Sequence, residues 1–200
     1  MIKLLLNLVL NLFFLNLVYA DNSLPKCQGP LQEWTGCYGE RKYINGDKYA
    51  GEWDDGFKHG KGILEYNDGS KWEGEFIAGE PRGKGTMTYK DGRIYIGHIK
   101  FGTREGTGTM TWPHGTKYSG DWENDKYHGE GTATWPDGDK YVGEFEEGIF
   151  NGYGTYYHAG GAKYVGNFKD GRKHGKGTYY HPNGAKDSGI WQFNRLIKPD

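Results

Sequence analysis

The feature that most constrains the fold of this chain is a sequence pattern that returns every 23 residues without insertion. Six units follow one another at 49–71, 72–94, 95–117, 118–140, 141–163 and 164–186. A strict period of this length indicates an array of small supersecondary units, each of which buries its apolar surface against its neighbours. We therefore expect an elongated repeat structure rather than a layered globule.

Each unit carries glycines and aromatic rings at fixed positions. Position one is aromatic and position five is a ring, except for Ile99 in the third unit. Positions three, twelve, fourteen and twenty-one are glycine in all six units. Glycine makes up 35 of the 200 residues, more than twice its ordinary usage, so the glycines belong to the repeated architecture.

The alternation inside each unit predicts two strands. Positions one to five and positions twelve to eighteen both alternate with a period of two residues, and stretches rich in Asp, Asn and Gly separate them. Each unit is therefore a β-hairpin. The predicted fold is all-β: an elongated, single-layer antiparallel sheet of tandem 23-residue hairpins, twisted or curled.

A register can be predicted from the glycines. If position three pairs with position fourteen and position five with position twelve, each position-five ring lies beside glycines on both neighbouring strands. Trp122 would then lie between Gly129 and Gly108. Glycine weakens a strand, but a ring that lies flat on bare backbone buries enough area to outweigh that cost.

The ends of the chain differ from the array. Residues 1–20 have one basic residue, an apolar stretch and small residues before Asp21, as in a secretory signal peptide; retention as a membrane anchor is the alternative. We expect an exported protein, periplasmic or extracellular, in a bacterial envelope. Residues 21–48 are interpreted as a cap with a half repeat, and residues 187–200 as a C-terminal half repeat or cap.

Cys27 and Cys37 are the two cysteines of the chain, and both lie in the N-terminal cap. In an exported protein this arrangement predicts a disulfide, with free thiols or a metal pair as the alternative. The formal net charge is −1, and removal of residues 1–20 takes away only Lys3 among the charged residues. A nearly neutral surface argues against nucleic acid as a partner.

The motif YxGEWxxGxxHGxGxxxxxDG, repeated from Tyr49 to Lys186, resembles the MORN (membrane occupation and recognition nexus) repeat. The segment LPKCQGPLQEWTGCYG also resembles exported bacterial MORN-repeat proteins. Such arrays accompany lipid kinases, junctional membrane proteins and methyltransferases without supplying their catalysis. The resemblance therefore implies a binding or scaffolding module. The departures are His98 and Ile99 in the third unit, Asp125 in the fourth and Asn167 in the sixth.

A search for catalytic motifs favours a protein that is not an enzyme and that holds no cofactor or metal. Lys61, Lys84 and Lys176 follow a glycine but lack the glycine that begins a phosphate-binding loop five residues before it. The acidic turns lack the ligand spacing of a calcium loop, and turn chemistry accounts for them.

The aromatic side of the sheet is the candidate partner face, because a single layer has no second layer to cover its rings. Curling, by which rings cover one another, is the alternative. The candidate residues are Tyr49, Trp53, Trp72, Phe76, Tyr95, Trp112, Tyr118, Trp122, Trp135, Tyr141, Phe145, Tyr164 and Phe168.

Three functions compete. The leading hypothesis is a noncatalytic exported scaffold that binds a protein, or a second copy of itself, through this face or the end strands. The second is peripheral binding to membrane lipid, suggested by one row of turn cations: Lys58, Arg82, Arg104, Lys126 and Arg172. The third is glycan binding by stacked aromatic residues.

Overall fold

The computed structural model describes residues 24–200, so the predicted signal peptide lies outside the described residues. The described chain forms one open antiparallel sheet of 15 strands, in which each strand pairs only with its neighbours in the chain. The predicted all-β, single-layer fold is confirmed. The strands are β1 Cys37–Lys42, β2 Lys48–Asp54, β3 Phe57–Glu65, β4 Lys71–Ile77, β5 Glu80–Thr88, β6 Ile94–Lys100, β7 Thr103–Thr111, β8 Lys117–Glu123, β9 Lys126–Thr134, β10 Lys140–Glu146, β11 Ile149–Tyr157, β12 Lys163–Lys169, β13 Arg172–Tyr180, β14 Lys186–Gln192 and β15 Arg195–Pro199.

The turn inside each hairpin is shorter than the sequence pattern suggests. It consists of positions seven and eight alone, so the second strand begins at position nine and not at position twelve. Both turn residues have positive φ, as with Asp55 at 47° and Gly56 at 75°. Two-residue hairpin turns favour this geometry because it matches the twist of the strands. In the fourth unit Asn124 and Asp125 adopt it at 48° and 66°.

The predicted register is right at one pair of positions and wrong at another. Position three pairs with position fourteen, as in Gly120 with Gly131, but position five pairs with position ten, as in Trp122 with Tyr127. On its other side Trp122 pairs with Gly106, which is position twelve of the preceding unit, and not with position fourteen. The difference within the unit comes from a β-bulge in the second strand, where Gly129 has a φ of +53°. The ladder to the preceding unit has no shift, so Trp122 lies two residues beyond the pair of Gly108 and Gly120.

The side chain of position four contacts the backbone of the bulge. Glu144 accepts a hydrogen bond from the backbone N–H of Tyr153 at 2.8 Å, and Asp121 accepts the equivalent bond at 3.3 Å. His98 and Asn167, two of the departures from the repeat motif, each contact the carbonyl of the same bulge position at 3.3 Å. These substitutions therefore keep a side-chain contact at the bulge, but an imidazole or amide nitrogen replaces the carboxylate and the backbone carbonyl replaces the N–H as its partner.

The ring that lies on bare backbone is the one at position one. A Cβ built on Gly131 would stand 2.7 Å from Cε2 of Tyr118, and one on Gly120 would stand 2.5 Å from Cα of Gly131. Side chains at these two glycines would occupy the volume of the ring. The Tyr118 hydroxyl donates to the carbonyl of Asp121 at 2.7 Å, and the position-one residue makes the same type of bond in every unit.

The position-five ring joins one unit to the next. Trp122 lies edge to face with Tyr118 of its own unit at 5.2 Å and with Tyr95 of the preceding unit at 5.3 Å. Its indole N–H donates to the carbonyl of Gly108 at 3.1 Å. Trp122 therefore lies close to that glycine, as predicted, but through its side chain and not through the pairing of the strands. Rings of positions one and five thus alternate along the sheet.

The N-terminal edge of the sheet is covered. Cys27 and Cys37 form a disulfide, which confirms that prediction and ties residues 24–36 to β1. The Cys27 N–H donates to the carbonyl of Tyr38 at 2.8 Å, and Trp34 lies edge to face with Trp53 at 5.0 Å. Closure of so short a loop stabilises the fold by about 2 to 3 kcal/mol in the chain-entropy model.

Replacement of Gly131 by alanine tests the contact between ring and glycine. We expect the free energy of unfolding in urea to fall by about 1 to 3 kcal/mol, because the new methyl group displaces the Tyr118 ring. Gly160→Ala is the matched control, since a Cβ there has no neighbour within 4 Å. Equal stability of the two variants would contradict the assigned role of Gly131.

Candidate functional site

Eleven of the thirteen predicted partner-face rings are core residues. All of them are at most 6% exposed, so they are not available as an open aromatic patch and that expectation is corrected. A single layer achieves this burial because rings of neighbouring strands cover one another edge to face. The eleven are Tyr49, Trp53, Trp72, Phe76, Tyr95, Tyr118, Trp122, Tyr141, Phe145, Tyr164 and Phe168.

Trp112 and Trp135, the other two predicted residues, are only half-buried. Both occupy position eighteen, the first residue after the second strand of a unit. We call the set of residues at this position the position-eighteen row, and all seven of its members are partly exposed: Tyr43 of the half unit, Tyr66, Tyr89, Trp112, Trp135, His158 and His181. We call the side of the sheet that carries the core rings and this row the ring face.

Position ten covers the core rings from outside, a role that the sequence analysis missed. Tyr127 stacks on Tyr118 with ring centres 3.8 Å apart, and Phe150 stacks on Tyr141 at 3.9 Å. In the first, third and sixth units a cation replaces the ring, as where the Arg104 guanidinium lies 4.4 Å from the centre of a Trp122 ring, and the second unit has Pro81 at this position. A flat ring and a cation both bind favourably to an aromatic face. The frequent occurrence of aromatic and basic residues at position ten could therefore have indicated this covering role from the sequence.

Burial shapes the titration of the ring face. It raises the pKa of Tyr95, Tyr127 and Tyr164 to about 12. Burial also lowers the pKa values of the Lys58 and Lys173 ammonium groups, which lie against aromatic rings. Neutral phenols and partly desolvated ammonium groups therefore line the ring face.

The predicted row of cations lies along the edge formed by the two-residue turns, which we call the hairpin-tip edge. Neighbouring tips are joined by hydrogen bonds, such as Gly79 N–H to the carbonyl of Lys58 at 2.9 Å. Two of the five cations are ion-paired: Arg104 with Asp125 at 2.7 Å, and Lys126 with Glu147.

Large apolar side chains are exposed along the hairpin-tip edge, and the sequence analysis did not select them. Phe101 is 73% exposed and Phe193 is 58% exposed. Arg82 and Arg172 lie over these two rings at 5.3 Å and 5.8 Å. Phe57 and Ile149 are exposed at the tips of the first and fifth units, so apolar side chains occur at every second tip of this edge.

Within residues 24–200 there is no group of three or more His, Cys, Asp or Glu side chains placed to hold a metal ion. Across the same residues, no helix has the length and apolar character needed to cross a membrane.

Comparison with known families decides the class of this sheet. The MORN repeat model matches six times, at 49–71, 72–92, 95–117, 118–140, 141–163 and 164–186. The chain belongs to the MORN repeat family. The six matches of this MORN repeat protein coincide with the hairpins described above, including the third and sixth units with their altered position-four residues. No curated protein sequence matches the chain.

Solved structures give weaker similarities to this MORN repeat protein. The SAS-4 TCP domain of Drosophila melanogaster, in complex with a proline-rich motif of Ana2, has a TM-score of 0.48 and 12% identity over 76% of this chain and 83% of that chain. The TCP10 domain of Danio rerio CPAP, in complex with a STIL peptide, has 0.34 and 16% over 74% and 62%. At these TM-scores the similarity carries no functional argument.

The raised tyrosine pKa values predict alkaline unfolding. Folded phenols that ionise near pH 12 and unfolded phenols that ionise near about 10 make the folded state more stable below pH ~10, and this contribution is lost as the pH rises toward 12. Ultraviolet titration of tyrosinate should show later ionisation in the native protein than in denaturant. Coincident titration curves would contradict burial of these rings.

Proposed function

We propose that this MORN repeat protein is a noncatalytic scaffold that binds a protein partner on its ring face. The observation that carries the proposal is the position-eighteen row, a line of partly exposed rings beside a closed aromatic core. Membership of a repeat family whose arrays act as binding modules supports it. The partner protein in this proposal includes a second copy of the chain, which would self-associate through the same face.

The rings of the row are held in place before any partner binds. Trp135 stacks with Tyr156 at 5.9 Å and contacts Phe150 at 6.0 Å, and the Arg93 guanidinium covers Tyr89 at 4.6 Å. Aromatic side chains with fixed rotamers bury large areas at a low entropic cost on association. Tyr and Trp in such settings are the residues that most often dominate binding energy.

The groups with shifted pKa values are engaged in contacts that stabilise the fold, which supports a noncatalytic role. The tyrosines with raised pKa values at position one donate their hydroxyls to backbone carbonyls, so their perturbation belongs to the packing of the repeat. The histidines of the row have carboxylate neighbours on the same face, as with His181 and Asp187 at 2.7 Å.

We also propose that the chain is exported. The disulfide between Cys27 and Cys37 supports this, because such bonds persist in oxidising compartments. Mass analysis of the protein purified from its native cells tests the proposal. A chain that begins at Asp21 and retains the disulfide is the expected result, whereas a chain with its first residues present and reduced cysteines would refute it.

Photo-crosslinking in the cells that express the protein tests the binding face. A photoreactive phenylalanine analogue at Trp112 should give covalent adducts with a protein, because this side chain lies on the proposed interface. The same analogue at Tyr153, which is 55% exposed on the opposite face of the sheet, is the matched control. Adducts from Tyr153 alone, or from neither position, would refute the proposal.

Peripheral membrane binding is the second candidate, and the hairpin-tip edge is the observation that favours it. Exposed phenylalanines beside arginines suit the boundary between lipid headgroups and acyl chains. The contribution of charge is limited because Arg104 and Lys126 are already paired. On this account the apolar side chains, more than the net charge, would govern attachment.

Vesicle flotation separates this candidate from the first. If the tip edge binds lipid, the protein floats with vesicles that contain anionic lipid, and Phe101→Ser combined with Phe193→Ser reduces the floating fraction several-fold through the loss of buried apolar area. Tyr153→Ser should leave flotation unchanged. Failure of the wild-type protein to float would eliminate the lipid function.

A further inference from the structure

The position-eighteen row has a spacing that selects among the conformations of a bound chain. One member occurs in each 23-residue unit, and each unit contributes two strands to the sheet. With neighbouring strands about 4.8 Å apart, successive members of the row lie about 9.6 Å apart. Seven members give six intervals, so the row extends over about 58 Å.

A polyproline II helix has nearly the same repeat. It rises about 3.1 Å per residue with three residues per turn, or about 9.3 Å per turn, so the mismatch over six intervals is about 2 Å. Two turns of an α-helix span about 10.8 Å, which accumulates a mismatch of about 7 Å. In an extended β-strand every third residue points to alternate sides, so it cannot place successive side chains on one row.

The free cations of the ring face indicate the charge of the occupant. The Lys173 ammonium lies 4.5 Å from the centre of the Tyr179 ring and 5.0 Å from that of Trp191. Lys58 lies 5.6 Å from the centre of Tyr43, the first member of the row. Among residues 24–200 neither ammonium has a carboxylate within ion-pair distance.

Two acids on the same face are already paired with other side chains. Asp139 accepts a hydrogen bond from the Tyr156 hydroxyl at 2.6 Å and lies 3.7 Å from His158. Asp187 lies 2.7 Å from His181.

Glu80 and Asp47 lie near enough to Lys58 to raise its pKa against the effect of burial, so its charge is partly balanced. Burial alone acts on the Lys173 ammonium, and this charge at the C-terminal end of the row remains available to complement an acidic partner.

We propose that the ring face binds a proline-rich segment with acidic residues, in the polyproline II conformation, running across the strands along the position-eighteen row. This inference rests on the proposed protein-binding function and names the chemistry of the partner. Every third residue of the segment lies against one ring of the row. An acidic residue near one end pairs with Lys173, and proline limits the entropy lost on binding.

Synthetic peptides of about 21 residues, or seven triplets, are long enough to span the row and test the inference. The first repeats Pro-Pro-Glu, the second Pro-Pro-Lys and the third Gly-Ser-Glu, and binding to the full protein is measured by calorimetry and tryptophan fluorescence. We expect the Pro-Pro-Glu peptide to bind at least about tenfold more tightly than either control. Equal binding of Pro-Pro-Glu and Gly-Ser-Glu, or no binding of Pro-Pro-Glu, would overturn the inference.

Variants locate the bound peptide. Trp112→Leu should weaken binding of the Pro-Pro-Glu peptide about tenfold or more, whereas Tyr153→Ser on the opposite face should leave it unchanged. Lys173→Gln should weaken the same peptide but leave a Pro-Pro-Ser peptide unaffected, because only the first supplies carboxylates. An unchanged affinity for Pro-Pro-Glu in both Trp112→Leu and Lys173→Gln would overturn the placement.

Negative results from the peptide experiments and from the photo-crosslinking have different consequences. Protein adducts from Trp112 together with no binding of the Pro-Pro-Glu peptide would refute the polyproline inference and leave the protein-binding function standing. Absence of adducts from the ring face together with no peptide binding would refute both.

Discussion

The structure depends on one repeated interaction, an aromatic ring at position one that lies on two glycines and hydrogen-bonds the carbonyl of position four. Tyr118 on Gly120 and Gly131 is one of six examples. Without Cβ atoms beneath it, the ring approaches the backbone of two strands at once. One sheet can therefore bury rings to 0% exposure, as at Tyr141 and Trp72, without a second layer.

The other features of the ring face follow from this arrangement. Position five bridges one position-one ring to the next, and in five of the six units position ten covers the outer side with a ring or a cation. The core closes over positions one and five, and position eighteen, which follows the second strand, stays partly exposed. The surface available to a partner is consequently a periodic line of rings, with the same spacing as the units.

Much of the fold could be predicted from the sequence because a strict period repeats the same local information six times. The hairpin, the pairing of Gly120 with Gly131 and the disulfide of Cys27 follow from local patterns. The bulge could not be predicted, since Gly129 fits the alternating pattern of a regular strand and the sequence does not show that its φ is positive. Burial of the proposed partner face was misjudged because the rings are covered by contacts between several units together. Trp112 and Trp135 are the two predicted residues that stay partly exposed, and their role in binding stays a prediction.

A double-mutant cycle in urea unfolding tests the central interaction most directly, with Tyr118→Leu, Gly131→Ala and the two combined. If the ring lies on the glycine, the alanine substitution destabilises the protein in the presence of Tyr118 and costs much less once leucine has replaced it. We therefore expect a coupling free energy of at least about 0.5 kcal/mol. Additive effects of the two substitutions would contradict this account of the core.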